Sequence, residues 1–239
     1  MNTKWADRRN FPWSERFDSL ASQTKDSRLR KFYEAGVVAG DTPISEVPMV
    51  AMDLETTGLD PQRDGIVSIG VIPMSYERIW CNESRHWIVK PREDLNADSV
   101  KVHGITHSKI ESAPDLMSIV DELLEVLAGK IVVVHYRYIE RHFLNAALRA
   151  RLGEGIEFPT IDTMELEVRL WRKNTSSVLQ RMLGRPTVSL RLADSRTRYN
   201  LPFYSPHDAL TDALASGELL IAQLLSQYSP SVPVKKLWG

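Results

Sequence analysis

Two acids close an otherwise apolar run. In VPMVAMDLETTGLD the stretch from Val47 reads as a buried strand, and Asp53 and Glu55 stand at its end. An ionised carboxylate on such a strand is costly unless it is paired or holds a cation. Residues two apart on a strand share a face, so both carboxylates can converge on one ion while Leu54 points away. Alone, the pair fits a solvated strand end better than a metal site, so the metal reading depends on partners elsewhere. Further along, IVVVH runs into YRYIERHFL with Glu140 at the start of a helix. HDALTDALA then places His207 in the first turn of the last helix, with Asp212 just over one turn later. Four carboxylates and a histidine at strand ends and helix starts are what a two-metal hydrolytic site needs. In such a site divalent cations ~4 Å apart clamp a phosphate, one activating water and the other stabilising the leaving oxygen.

The elements that must position these groups are legible from periodicity and punctuation. VPMVAMDLE, Ile66 to Pro73 and Arg85 to Lys90 read as an antiparallel meander turned at Gly58 and Asp64-Gly65. A helix follows over Asp115 to Leu127, stopped by Gly129, and IVVV (Ile131 to Val134) is a buried strand parallel to the first. Next come a helix over Ile139 to Leu152, a strand over Phe158 to Asp162 and a helix from Thr163. The last helix is expected to start with Ser205 as N-cap, Pro206 at the first helical position and Asp208 completing the box, and to run to about Tyr228. The order β-β-β-α-β-α-β-α predicts an α/β fold with a mixed central sheet flanked by helices, three antiparallel strands followed by parallel ones. The ribonuclease H-like fold has this order. Residues 1–46 read as an N-terminal helical extension, 47–228 as the main domain and 229–239 as a tail, loose or docking.

The quoted motifs resemble the DEDD superfamily of 3′→5′ exonucleases. DLETTG is similar to the first motif, VHGIT (Val102 to Thr106) followed by Ala113-Pro114 to the substrate-side loop, VVHYRYIERHFL to the second motif and HDALTDALA to the third. A histidine five residues before the last aspartate marks the His subtype, the DnaQ-like group. The likeness covers roughly residues 48 to 225, with two departures: the second-motif aspartate is Glu140 and the asparagine after its histidine is Tyr136. The resemblance implies that Asp53, Glu55, Glu140 and Asp212 bind two divalent ions, Mg²⁺ or Mn²⁺, with Asp53 bridging, and that His207 is the general base. It implies that Thr56 and Thr57 contact the terminal nucleotide and that Leu59, Ile105 and His103 wedge against its base, with Tyr136 nearby. Leu59 reads equally well as a core residue. His135 reads as a structural histidine, and Asp162-Thr163 with Leu190 and Leu192 as supports of the active face.

Composition narrows the classes. The single cysteine, Cys81, excludes an internal disulfide and a Cys-rich zinc site, and favours the cytoplasm. No apolar window suits a membrane span or signal peptide, and G-x-x-x-x-G-K-[ST], H-E-x-x-H and paired C-x-x-C are absent. The net charge of -1 hides an uneven distribution: from Arg169 to Arg198 eight basic residues face one acid, Asp194. That segment reads either as a phosphate-binding surface or as a solvated arginine-rich face. The expected activity is 3′→5′ exonuclease action on single-stranded or frayed nucleic-acid ends, DNA favoured, releasing nucleoside 5′-monophosphates, with a polymerase or other replication partner. The alternative is a nucleic-acid or polymerase-binding module silenced by Glu140.

Overall fold

The computed structural model describes residues 11–92, 105, 107–174 and 188–239. Its centre is a sheet of β1 (Met49–Thr56), β2 (Ile66–Met74), β3 (Arg85–Ile88), β4 (Ile131–Val134) and β5 (Thr160–Asp162), in the order β3-β2-β1-β4-β5. β1 is antiparallel to β2 and parallel to β4; β2–β3 is antiparallel and β4–β5 parallel. This is the expected mixed sheet. The helices are α1 (Trp13–Gln23), α2 (Ser27–Glu34), α3 (His107–Glu111), α4 (Val120–Leu127), α5 (Tyr138–Leu152), α6 (Thr163–Asn174), α7 (Leu192–Arg198) and α8 (Ala209–Gln227). The helix expected from Asp115 is preceded by a 3-10 turn, Leu116–Ser118, because Asp115 caps it by accepting from the Met117 N–H at 2.8 Å. No helix among the described residues is long and apolar enough to cross a membrane.

One isoleucine and three valines, all buried, make β4 a strand covered on both faces, which suits a parallel position. α8 lies across β1, β2 and β4 with Gly217 over Ala51: a Cβ at residue 217 would stand 3.4 Å from the Ala51 Cβ, an ordinary packing distance. Ala51, Asp53 and Glu55 therefore share the face of β1 that α8 covers. Residues 11–46 and the last eleven contribute to the same hydrophobic core. Trp13, Phe17, Phe32 and Tyr33 form an aromatic cluster, and Arg141 of α5 sits 5.5 Å from the Trp13 ring. Val234, Leu237 and Trp238 are buried, and the Gly239 N–H donates to Thr160 O at 2.9 Å.

Candidate active site

The site forms where β1 ends. Asp53 is half-buried and Glu55 only 5 % exposed, while Leu54 turns to the other face. Across the pair, Asp53 lies opposite Gly70 and Glu55 opposite Ser68. Thr56 and Thr57, expected to contact a nucleotide, have hydroxyls engaged in the turn: Thr56 Oγ1 donates to Gly58 O at 2.7 Å, and Thr57 Oγ1 accepts from the Gly65 N–H at 2.9 Å. Leu59 at the tip is 78 % exposed, which removes the core reading of this residue.

The start of α8 differs from expectation. Asp208, not Ser205, is the N-cap, accepting from the Thr211 N–H at 2.9 Å, and the helix begins at Ala209. Pro206 and His207 thus precede the helix, and His207 has a left-handed backbone, φ 71°. The reason is local: the Asp208-to-Thr211 cap outcompetes the proline start three residues earlier. The expected neighbourhood survives. The His207 N–H donates to Asp212 Oδ2 at 2.8 Å, and ligand atoms of Glu55, His207 and Asp212 lie within 4.8 Å of one another.

α8 reaches the acids because Gly70 has no side chain. A Cβ at that position would stand 2.3 Å from Ala209 O and 2.5 Å from Leu210 N. Glycine inside a strand is unfavourable for the strand itself, and here it marks a close backbone approach.

Glu140 lies in the first turn of α5, 2 % exposed, and its Oε2 has no hydrogen-bond partner. Burial, with Asp162 nearby, pushes its carboxyl well above the usual range. Asp53 is likewise pushed well above its ordinary value, by burial first and then by Glu140, Glu55, Asp212 and Asp208. Burial also raises Asp212, although the His207 N–H opposes it. Asp53 and Glu140 stand outside the three-residue cluster but in the same field. Clustered carboxylates, three of them (Asp53, Glu140 and Asp212) pushed up, with an orphaned buried oxygen on Glu140, fit hard divalent cations with oxygen ligands.

The loop after β4 is tied down by Asp162. Its carboxylate accepts the N–H groups of Tyr136 and Arg137 at 3.0 Å each, and also that of Met164 at the start of α6 at 3.0 Å. One buried acid therefore fixes two helix starts, and with them Glu140. His135 is satisfied structurally, Nδ1 on Thr163 Oγ1 and Nε2 on Leu190 O, each at 2.8 Å. Leu190 O can only accept, so Nε2 carries the proton. Burial lowers the His135 pKa. Tyr136 is 46 % exposed with φ 85°, and its ring stacks on Tyr138 at 5.8 Å. Ile105 is half-buried; His103 lies outside the described residues.

The arginine-rich segment is less available to phosphate than its charge suggests. Arg169 binds Glu165 and donates to Lys236 O, Arg196 pairs with Glu218 at 2.7 Å, and Arg198 pairs with Glu167 at 2.7 Å. Counting charge from residue 169 to 198 missed this because the partners Glu165, Glu167 and Glu218 fall outside that window. Arg181 and Arg185 lie outside the described residues, while Arg191 is exposed on the cleft that contains Asp53, His207 and Asp212.

A stability consequence follows from the raised carboxyls. A group whose folded pKa exceeds its unfolded value contributes stability below the unfolded pKa and loses it as pH rises through the folded pKa. Asp53, Glu140 and Asp212 therefore weaken the metal-free fold as pH rises from the carboxylate range toward neutrality. Melting in EDTA should show this loss from pH 5 to 7, and Mg²⁺ or Mn²⁺ at pH 7 should raise the melting temperature.

Comparisons with known proteins agree with this geometry. The RNase_T family model, described as Exonuclease, matches residues 50–220. DNA polymerase III PolC-type from Thermotoga maritima (strain ATCC 43589 / DSM 3109 / JCM 10099 / NBRC 100826 / MSB8) is 29% identical over 141 residues, 59% of this chain and 10% of that protein. DNA polymerase III subunit epsilon from Rickettsia prowazekii (strain Madrid E) is 27% identical over 184 residues, covering 75% of each chain. The chain thus spans about a tenth of the length of the PolC-type relative. Among solved structures, Exonuclease X in complex with 5′ overhanging duplex DNA shares 19% identity at a TM-score of 0.58, covering 79% of this chain and 99% of that one. The nuclease domain of 3′hExo, a DEDDh family member bound to rAMP, shares 14% identity at a TM-score of 0.61, covering 75% and 92%.

Proposed function

We propose, because this chain belongs to the RNase_T exonuclease family, that its acidic cleft removes nucleotides one at a time from the 3′ end of single-stranded or frayed nucleic acid, releasing nucleoside 5′-monophosphates. The observation that carries the reading is the convergence of Glu55, His207 and Asp212 within 4.8 Å, beside Asp53 and the buried Glu140. DNA is the favoured substrate and a replicative polymerase the favoured partner, supported by relatives that are polymerase III polypeptides and by the DNA in the Exonuclease X complex.

Asp53, Glu55, Glu140 and Asp212 would hold two divalent ions, Mg²⁺ or Mn²⁺. Bound there, such ions polarise the scissile phosphate and lower the pKa of water. His207, exposed at the cleft, takes the proton of the attacking water as the oxygen adds to phosphorus. The bond from phosphorus to the 3′ oxygen of the preceding nucleotide breaks, and that oxygen leaves as an alkoxide that takes its proton from solvent water. Asp212 has a second task, holding the His207 backbone through the 2.8 Å hydrogen bond.

The test is a time course on 3′-labelled and 5′-labelled single strands, DNA and RNA, with Mg²⁺, Mn²⁺ or EDTA, run beside Asp212→Ala. Metal-dependent mononucleotide release from the 3′ end, absent in the variant, is expected. Strand binding without release under either metal would overturn the enzyme reading.

A further inference from the structure

The connection between α7 and α8 delivers His207 to the cleft, and a buried cation holds its middle. Arg196 is 3 % exposed. Its Nη1 donates to Ala215 O at 2.7 Å, and its Nη2 donates to Pro202 O at 2.9 Å and to Glu218 Oε2 at 2.7 Å. The guanidinium stands 4.5 Å from the centre of the Tyr204 ring, and the Tyr204 hydroxyl donates to Glu218 Oε1 at 3.1 Å. Pro202 and Tyr204 are thereby pinned to α8, while Phe203 between them is 79 % exposed.

A scattered exposed phenylalanine is ordinary on a protein surface and carries no meaning alone. Here the ring is presented by anchored neighbours, which removes much of the ordering cost of a contact. Phe203 also lines the same cleft as Asp53, His207 and Asp212, and exposed Arg191 lines it too. An aromatic face and a cation beside a phosphodiester site match the chemistry of single-strand binding, in which bases stack on rings and phosphates meet basic groups. We propose that Phe203 and Arg191 form a strand-binding rim, Phe203 stacking on a base and Arg191 meeting a phosphate of the strand whose end enters the acidic cleft. This rests on the exonuclease reading and extends it with a specificity: contact with a base face rather than a base edge, hence tolerance of sequence and dependence on an unpaired strand.

The test uses fluorescence anisotropy of 5′-labelled single strands with Mg²⁺, in an Asp53→Asn background that leaves the strand intact, together with KM measured in the otherwise native enzyme. Phe203→Ala should weaken binding about ten-fold and raise KM more than it changes kcat, with Phe203→Trp restoring both. One abasic position along the strand should abolish the difference between Phe and Ala at residue 203. Arg191→Ala should reduce the slope of log affinity against log salt by about 0.7. Turnover by the native enzyme with indifferent binding and KM in Phe203→Ala would overturn the rim alone. Absence of both turnover by the native enzyme and strand binding in the Asp53→Asn background would overturn the exonuclease reading and the rim with it.

Discussion

Asp53→Asn should abolish hydrolysis while raising the melting temperature of the metal-free protein. The side chain keeps its size but loses the charge that Glu140, Glu55, Asp212 and Asp208 oppose. Loss of one of the carboxylates proposed to hold the divalent ions should cost ~10³-fold or more in rate, which corresponds to ~4 kcal/mol of transition-state stabilisation. Relief of repulsion worth ~1 kcal/mol would raise the melting temperature by ~2–4 °C for a chain of this size. Turnover in Mg²⁺ and melting in EDTA, on the same preparations, read the two effects separately. A variant that melts lower than the parent in EDTA would show that Asp53 serves the fold, contrary to its place among like charges. With Mg²⁺ added, the order of melting temperatures should reverse, because the parent gains more from the cation.

Gly70→Ala should be nearly as damaging without touching any ionisable group. The new methyl carbon would lie 2.3 Å from Ala209 O, 2.4 Å from its carbonyl carbon and 2.5 Å from Leu210 N. All three are backbone atoms, so no side chain can swing aside and the start of α8 must move. His207, Asp208 and Asp212 move with it, and a shift of ~1 Å at a catalytic constellation costs ~10²-fold. Overpacking should add a stability loss of ~1–3 kcal/mol, measurable by urea unfolding. Gly217→Ala is the informative comparison. Its Cβ would meet Met74 Sδ at 3.2 Å and Ile79 Cδ1 at 3.3 Å, both on flexible side chains, so it should retain most activity. Equal damage from the two variants would mean that α8 is sensitive along its whole length, rather than at its start.

Much of this architecture can be read from the chain before any coordinates. The two-residue spacing of Asp53 and Glu55, the four-residue apolar run of β4 and the late HDALTDALA segment each carry a local signal, and the order of strands and helices follows from them. What stayed hidden depends on partners remote in sequence. Gly70 looks like an ordinary interruption of a strand until α8 is laid over it. Asp162 reads from sequence as a support of the active face, but its hold on Tyr136 and Arg137 spans 26 and 25 positions and cannot be read locally. Arg196 and Arg198 count as free charge in a sequence, yet Glu218 and Glu167 claim them. The start of α8 differs from the sequence pattern for another reason: two capping signals overlap within four residues, Ser205 and Asp208, and sequence alone gives no energy difference between them. Only the hydrogen bond to Thr211 decides it.

The positive φ of Tyr136 gives its departure from the motif a second meaning. At 85° the backbone of this residue lies where asparagine is comfortable and a bulky ring is not. A non-glycine residue held in such a region carries ~1–3 kcal/mol of conformational strain. The two hydrogen bonds that Asp162 accepts from Tyr136 and Arg137 are what keep the chain there. An asparagine at residue 136 would suit this backbone better than the tyrosine does. A tyrosine in its place makes this loop a loaded one, whose shape depends on a single buried carboxylate rather than on the residue that adopts it.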